Sequence, residues 1–233
     1  MSATVPLNGH GVHLAEVCTL NSHPHLLHLD SSARRTGFSR HIGAKYAQAW
    51  QAANPHGRYT YRDLVKQPVP FIDEAWTQIC DTVLAEQITD PGRIHEAVRT
   101  PAQRKAWEIV EPLLAELLSA DELLIGVPMY NYSVPASLKA WIDQVTFPRA
   151  RLTARVVVTA ARGGAYGPGT PREPMDHQER YLRDFFRGHF AVDEVAFVTV
   201  EMVNSLVDPA LAAFRQLHLD SVAAALKTVE AMR

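Results

Sequence analysis

Cysteine is scarce: Cys18 and Cys80 are the only two in 233 residues. That is too few for a disulfide framework or a metal knuckle, and it points to a reducing compartment. No apolar run approaches membrane-spanning length. Residues 1–24 contain no lysine or arginine and no continuous apolar stretch, which argues against a secretory signal or transit peptide. The expected location is the cytoplasm. An excess of one charge is also missing. Against 25 acidic residues stand 23 basic ones, a formal net charge of -2, so no global field would hold nucleic acid or an anionic membrane. Small neutral or aromatic ligands fit better. Motif absences narrow the field further. Without Gly-x-x-x-x-Gly-Lys-Ser/Thr there is no NTPase P-loop, and without Gly-x-Gly-x-x-Gly after the first strand there is no dinucleotide fingerprint. No strand end supplies a Gly-x-Ser-x-Gly elbow, which disfavours a hydrolase. No internal repeat or low-complexity tract is visible.

What is present is ample apolar content, 47%, enough for the core of one large domain. Residues 1–24 mix Gly, Asn, His and Pro without a period and read as an extension; residues 25–233 read as the domain. Irregular spacing makes His10, His13 and His23 a solvated set rather than metal ligands. Five strands are expected, at His25 to Asp30, Arg58 to Tyr61, from Leu123 through Val127, Arg155 to Ala160 and Val195 to Val200. Helical patterns alternate with them. Ile42, Tyr46, Ala49, Trp50 and Ala53 form one stripe, with Ser39 as its expected N-cap. Two helices fill the crossover between the second and third strands, the later one starting at a Thr100–Gln103 capping box and containing Pro112. Asp208-Pro209 starts the expected last helix. Such alternation implies a parallel sheet covered on both faces with right-handed crossovers.

Three of the loops after strands carry unusual residues. Ser31 to Ser39 is hydroxyl-rich and delivers the chain to a helix N-terminus, a sound cradle for a single phosphate, because free N–H groups and hydroxyls both donate to phosphate oxygens. Arg34 and Arg35 would add charge there. Pro128 to Pro135 is aromatic and proline-bracketed, and it opens a helix whose stripe is Leu138, Trp141, Ile142 and Val145. Its dipole end suits a planar ligand with an electron-rich edge. Gly163 and Gly164 follow a buried strand, where the absence of Cβ lets backbone approach a ligand. Three such loops are what a flavodoxin-like sheet of order 2-1-3-4-5 needs for FMN.

Pro128-Met129-Tyr130-Asn131-Tyr132, followed by Pro135, Leu138-Lys139 and Asp143, resembles the signature loop and helix of FMN-dependent NAD(P)H azoreductases, which also reduce quinones. The resemblance runs from about Leu26 to near the C-terminus. It implies that Ser31, Gly37, Phe38 and Ser39 lie on the FMN phosphate side, and that Pro128, Met129, Tyr130, Asn131 and Tyr132 hold the isoalloxazine ring. Arg162, Gly163 and Gly164 match the family's Ser-Arg-Gly-Gly loop, with Ala161 in place of the serine. Tyr166 stands where the family carries an aromatic or histidine facing the substrate, so Asn131 and Tyr166 are the catalytic candidates. The resemblance further implies a homodimer that uses NADH or NADPH to reduce quinones or aromatic azo compounds by ping-pong hydride transfer. The competing class is a non-catalytic flavodoxin-like electron carrier or regulatory module, which the mild charge balance disfavours. Two departures stand out: the shortened segment 146–153, and the N-terminal extension.

Overall fold

A computed structural model describes residues 23–148 and 151–232 of the chain. Its centre is a five-stranded parallel sheet in the order β2-β1-β3-β4-β5, made of β1 (His25–Asp30), β2 (Arg58–Asp63), β3 (Glu122–Pro128), β4 (Arg155–Ala161) and β5 (Val195–Val200). Every residue of β1 and β3 is buried, as central strands covered on both faces require. β2 lies at an edge and is mostly exposed or half-buried, and it runs two residues beyond the expected Tyr61, to Asp63.

The helices are α1 (Phe38–Ala53), α2 (Glu74–Ala85), α3 (Pro101–Leu118), α4 (Ala136–Val145), α5 (His177–Phe190) and α6 (Arg215–Ala231). One face of the sheet packs Leu27, Ile125 and Val158 against α4 and α5 residues such as Trp141, Ile142 and Phe186. The opposite face packs Leu26, Leu124 and Val157 against Ile42 and Tyr46 of α1 and Val229 of α6. A satellite cluster joins α2 and α3 around Trp107 and Phe147, with Trp76 packed at its edge. Both expected crossover helices are therefore present, and the Thr100–Gln103 capping box is formed.

Several local expectations need correction. Ser39 does not cap α1: Gly37 occupies that position without a side-chain hydrogen bond, and Ser39 sits one turn-step inside the helix. Pro135 is the cap residue of α4, which begins at Ala136. Ala161 belongs to β4, which the loop was expected to follow directly after Ala160. The last helix is split. Asp208 caps a short 3-10 helix, Pro209–Phe214, and α6 begins only at Arg215. Residues 1–22, with His10 and His13, and residues 149–150 of the shortened segment lie outside the described residues.

Candidate cofactor-binding site

The carboxyl ends of β1, β3 and β4 bring the three singled-out loops together. After β1, Ser31 is 1% and Ser32 2% exposed. The Ser31 hydroxyl donates to the Gly126 carbonyl at 2.8 Å, and its main-chain N–H donates to the same oxygen at 3.0 Å. Ser31 thus ties the loop to β3 and has its hydroxyl proton committed. Ser39 differs: it is fully buried in the first turn of α1, and its Oγ has no hydrogen-bond partner. Because Gly37 supplies no side-chain cap, the N–H groups of the first turn, at Phe38, Ser39 and Arg40, point out of the helix without an intrahelical acceptor. The Phe38 ring turns away to meet His218 edge-on, with centroids 4.7 Å apart. Arg34 and Arg35 are exposed.

After β3 the chain makes a two-residue reversal. Tyr130 and Ser133 exchange both main-chain hydrogen bonds at 3.0 Å, and between them Asn131 and Tyr132 take φ values of 49° and 68°. Two successive positive φ angles make this a type I′ turn built from non-glycine residues, a conformation that surrounding structure must hold in place. The amides of Asn131 and Tyr132 have no main-chain acceptor among the described residues. Pro135 gives α4 no side-chain cap either, so its positive end lies a few residues from the turn. The Tyr130 hydroxyl accepts a 3.2 Å hydrogen bond from the Ala33 N–H, joining this turn to the loop after β1. Met129 N–H donates to the Ala161 carbonyl at 2.8 Å, joining it to β4. Lys139 and Asp143, from the same signature, pair with each other on the surface of α4.

After β4, the carbonyls of Arg162, Gly163 and Gly164 accept from the amides of Val203, Asn204 and Met202 in the turn following β5. With the carbonyls drawn to that side, the N–H groups of Gly163 and Gly164 have no main-chain acceptor among the described residues. The Arg162 guanidinium does not reach the cradle. Its side chain is 2% exposed and lies 2.9 Å from Asp176, 3.2 Å from Glu179 and 3.5 Å from Glu201. A buried cation needs such partners. Here they fasten the start of α5 to the β4 loop. Tyr166 is 6% exposed, donates its N–H to Glu201 at 2.8 Å, and meets the Tyr132 ring edge-on at 6.2 Å. Tyr132, 45% exposed, is the outer ring of this pair.

A profile described as flavodoxin-like fold matches residues 24–222. An FMN-dependent NADH:quinone oxidoreductase from Nocardia farcinica is 63% identical over 206 residues, covering 88% of this chain and 95% of that protein. The chain belongs to this family of FMN-dependent NADH:quinone oxidoreductases. A Parafrankia protein of the same name is 41% identical, with 88% and 96% of the two chains covered. Among solved structures, an azoreductase from Bacillus anthracis strain Sterne superposes with a TM-score of 0.71 at 19% identity, over 88% of this chain and 96% of that one. At that identity the likeness extends to the fold.

The family's cofactor can be tested against the residues present. A buried Ser39 hydroxyl without a partner and three open amides at one helix start suit a phosphate. The open amides of the Asn131-Tyr132 turn and of Gly163-Gly164 suit the polar rim of a flat heterocycle. The donor set fits FMN. The Ser31 hydroxyl and the Arg162 guanidinium are both engaged within the protein, with the Gly126 carbonyl and with Asp176, Glu179 and Glu201.

Sequence reasoning in this oxidoreductase missed the groups that brace the cradle: Asp30, Arg40, Tyr61 and Asp63 beneath the first loop, and Glu201 and Asn204 behind the third. A signal existed for the first set. His25, His28 and Asp30 stand among leucines in a strand buried on both faces, and a buried charge requires a partner. Burial pushes Asp30 upward against the opposing pull of Tyr61 and Arg40. Asp63 is lowered: burial acts to raise it, but hydrogen bonds from Arg40 and from the Lys66 and Val65 amides outweigh that. Burial, reinforced by Arg40, depresses His28 to about 4. The 3.8 Å separation between His28 Nε2 and Asp30 is therefore not an ion pair at neutral pH.

Proposed function

We propose that this chain is an FMN-dependent NADH:quinone oxidoreductase, with aromatic azo compounds as further acceptors. The observation that carries the reading is the open donor set at the start of α1. There a fully buried, unpartnered Ser39 hydroxyl adjoins uncapped amides, within one hydrogen-bonded unit that includes the β3 turn. The names of the relatives from Nocardia farcinica and Parafrankia support the same reading.

FMN, when bound, supplies the two-electron chemistry that links NADH oxidation to acceptor reduction in alternate half-reactions. The chain supplies the rest. Phe38, Ser39 and Arg40 offer main-chain N–H groups to the phosphate, with Gly37 ahead of them. Met129, Asn131 and Tyr132 flank the ring. The Asn131 and Tyr132 amides, backed by the α4 dipole, favour negative charge on the ring edge that faces them. Gly163 and Gly164 present amides from the opposite side. Tyr166 holds Tyr132 from behind, leaving the exposed Tyr132 ring to contact the acceptor.

The homodimer that the resemblance implies is part of this proposal. Phe71, 79% exposed beside Ile72, is an apolar group suited to burial by a second copy. It adjoins an open groove between α4 and α5 of about 620 Å³, whose lining includes Ile72, Trp76, Ile142 and Phe185. A cytoplasmic location rests on the scarcity of cysteine. Among the described residues, no helix is long and apolar enough to cross a membrane.

The experiment is direct. Purified protein should be yellow or turn yellow with added FMN, and should oxidise NADH with menadione or methyl red as acceptor. A colourless protein that ignores added flavin and shows no steady-state turnover would reject the proposal.

A further inference from the structure

We propose that the Arg40 side chain is a positioning group that sets phosphate recognition, and hence the preference for FMN over riboflavin, while only the Arg40 main-chain N–H meets the phosphate. This inference rests on the phosphate cradle proposed above.

Arg40 lies in the first turn of α1, and its side chain is 13% exposed. Each of its nitrogens has acceptors within reach. Nε and Nη2 donate to the Ser32 carbonyl at 3.2 and 2.7 Å. Nη2 also donates to Asp63 Oδ1 at 3.0 Å. Nη1 donates to Asp30 Oδ2 at 3.2 Å and to the Tyr61 hydroxyl at 2.9 Å. A guanidinium has five N–H protons, and five contacts account for all of them. The cation is further neutralised by two carboxylates whose side chains are 4% and 8% exposed. No side-chain proton and no net positive charge remain to offer a phosphate.

What the fork does fix is one peptide plane. The Ser32 carbonyl is gripped by Arg40, while the N–H at the other end of the same peptide, on Ala33, donates to the Tyr130 hydroxyl at 3.2 Å. A trans peptide points its carbonyl and N–H in opposite directions, so holding both ends sets the rotation of the plane. That plane opens the loop leading to Gly37 and the uncapped amides of α1. It also spans from the edge strand β2, through Tyr61 and Asp63, to the turn after β3. Tyr61 relays the anchor by accepting from Arg40 and donating to Asp30 at 2.9 Å. The role is therefore geometric, and a lysine, which keeps the charge but lacks the planar fork, does not replace it.

The test compares two flavins that differ only in the phosphate. FMN and riboflavin dissociation constants are measured by flavin fluorescence titration on the apo forms of the wild type and Arg40→Lys. The expected result is a rise of about tenfold in the FMN constant, the loss of one or two hydrogen bonds' worth of positioning, with the riboflavin constant unchanged. A parallel loss for both flavins would overturn the proposal, since it marks a general structural defect. So would an unaltered FMN constant. Arg40→Met combined with Asp63→Asn removes the cation together with one carboxylate it neutralises; it provides a second route should the lysine variant fold poorly, and the same phosphate-specific loss is expected. A wild type that binds riboflavin as tightly as FMN would instead overturn the phosphate cradle itself, independently of Arg40.

Discussion

Ser39 and Ser31 are both buried serines in one loop system, yet their hydroxyls have opposite energetics. Ser31 Oγ donates to the Gly126 carbonyl at 2.8 Å, whereas Ser39 Oγ has no partner. An unpaired buried polar group is a cost to the free protein, while a paired one contributes about 1 kcal/mol. Ser39→Ala should leave the apoprotein as stable as the wild type or slightly more so, and weaken FMN binding by about 1.5 kcal/mol, the low end for one hydrogen bond to a charged acceptor. Ser31→Ala should do the reverse, lowering apo stability by about 1 kcal/mol with a smaller effect on FMN affinity. Thermal melts of the apo forms and flavin titrations separate the two, and a destabilised apo Ser39→Ala variant would reject the assignment. Gly163 shows the same loop logic through crowding. A Cβ there would fall 2.6 Å from the Asn204 side-chain nitrogen Nδ2, in the turn whose Asn204 main-chain N–H holds the Gly163 carbonyl at 3.1 Å. Gly163→Ala should cost roughly 1–3 kcal/mol by overpacking and loosen the β4 side of the cradle. Denaturation midpoints unchanged from the wild type would contradict this.

At the level of elements, the turn after β3 carries a conformational demand that its sequence only half reveals. Asparagine tolerates a left-handed backbone, but tyrosine does so at a cost, and the two stand consecutively at φ 49° and 68°. Asn131→Gly should keep stability within about 0.5 kcal/mol, whereas Asn131→Val should lose roughly 1–2 kcal/mol, because a β-branched side chain clashes in that region. Equal stability of the two in urea denaturation would show that the turn is not held as described. Elements were legible in proportion to how local their causes are. β1 and β5 match their expected bounds residue for residue, since short apolar runs between breakers leave little choice, and the Thr100–Gln103 box marked α3 because its bonds span three residues. The cap of α1 differs from the expectation because the serine that ends a hydroxyl-rich loop looks like a cap, while the position falls to Gly37, whose N–H donates to the Arg34 carbonyl at 3.2 Å. The three site loops were visible as unusual residues at strand ends. Their bracing was not, since Arg40 meets Asp63 across 23 positions and Tyr130 meets Ala33 across 97.

Across the whole molecule, the polar residues buried under the site give folding a pH dependence with a definite sign. His28 is 2% exposed, hydrogen-bonded through Nδ1 to the Tyr59 hydroxyl at 2.9 Å, and faced by Tyr61, Asp30 and Arg40. Its folded value of about 4 lies below the ordinary 6.5 because burial, then Arg40, disfavours the cation. Between those two pH values the unfolded chain takes up a proton that the folded chain refuses, so stability falls as pH drops from about 7 toward 4. The full shift corresponds to roughly 3 kcal/mol. His25, also lowered mainly by burial, adds a term of the same sign. Asp30, raised mainly by burial, has the opposite sign: its stabilising contribution is lost as pH rises through its folded value, so it offsets part of the loss only toward the acid end. A comparison of wild type with His28→Gln isolates one term from the others. Urea unfolding at pH 7, 5.5 and 4.5 should show the wild type losing stability faster than the variant, with the gap opening as the solution becomes more acidic. Parallel curves would mean that His28 takes up its proton as readily in the folded protein as in the unfolded chain, so that burial does not depress it.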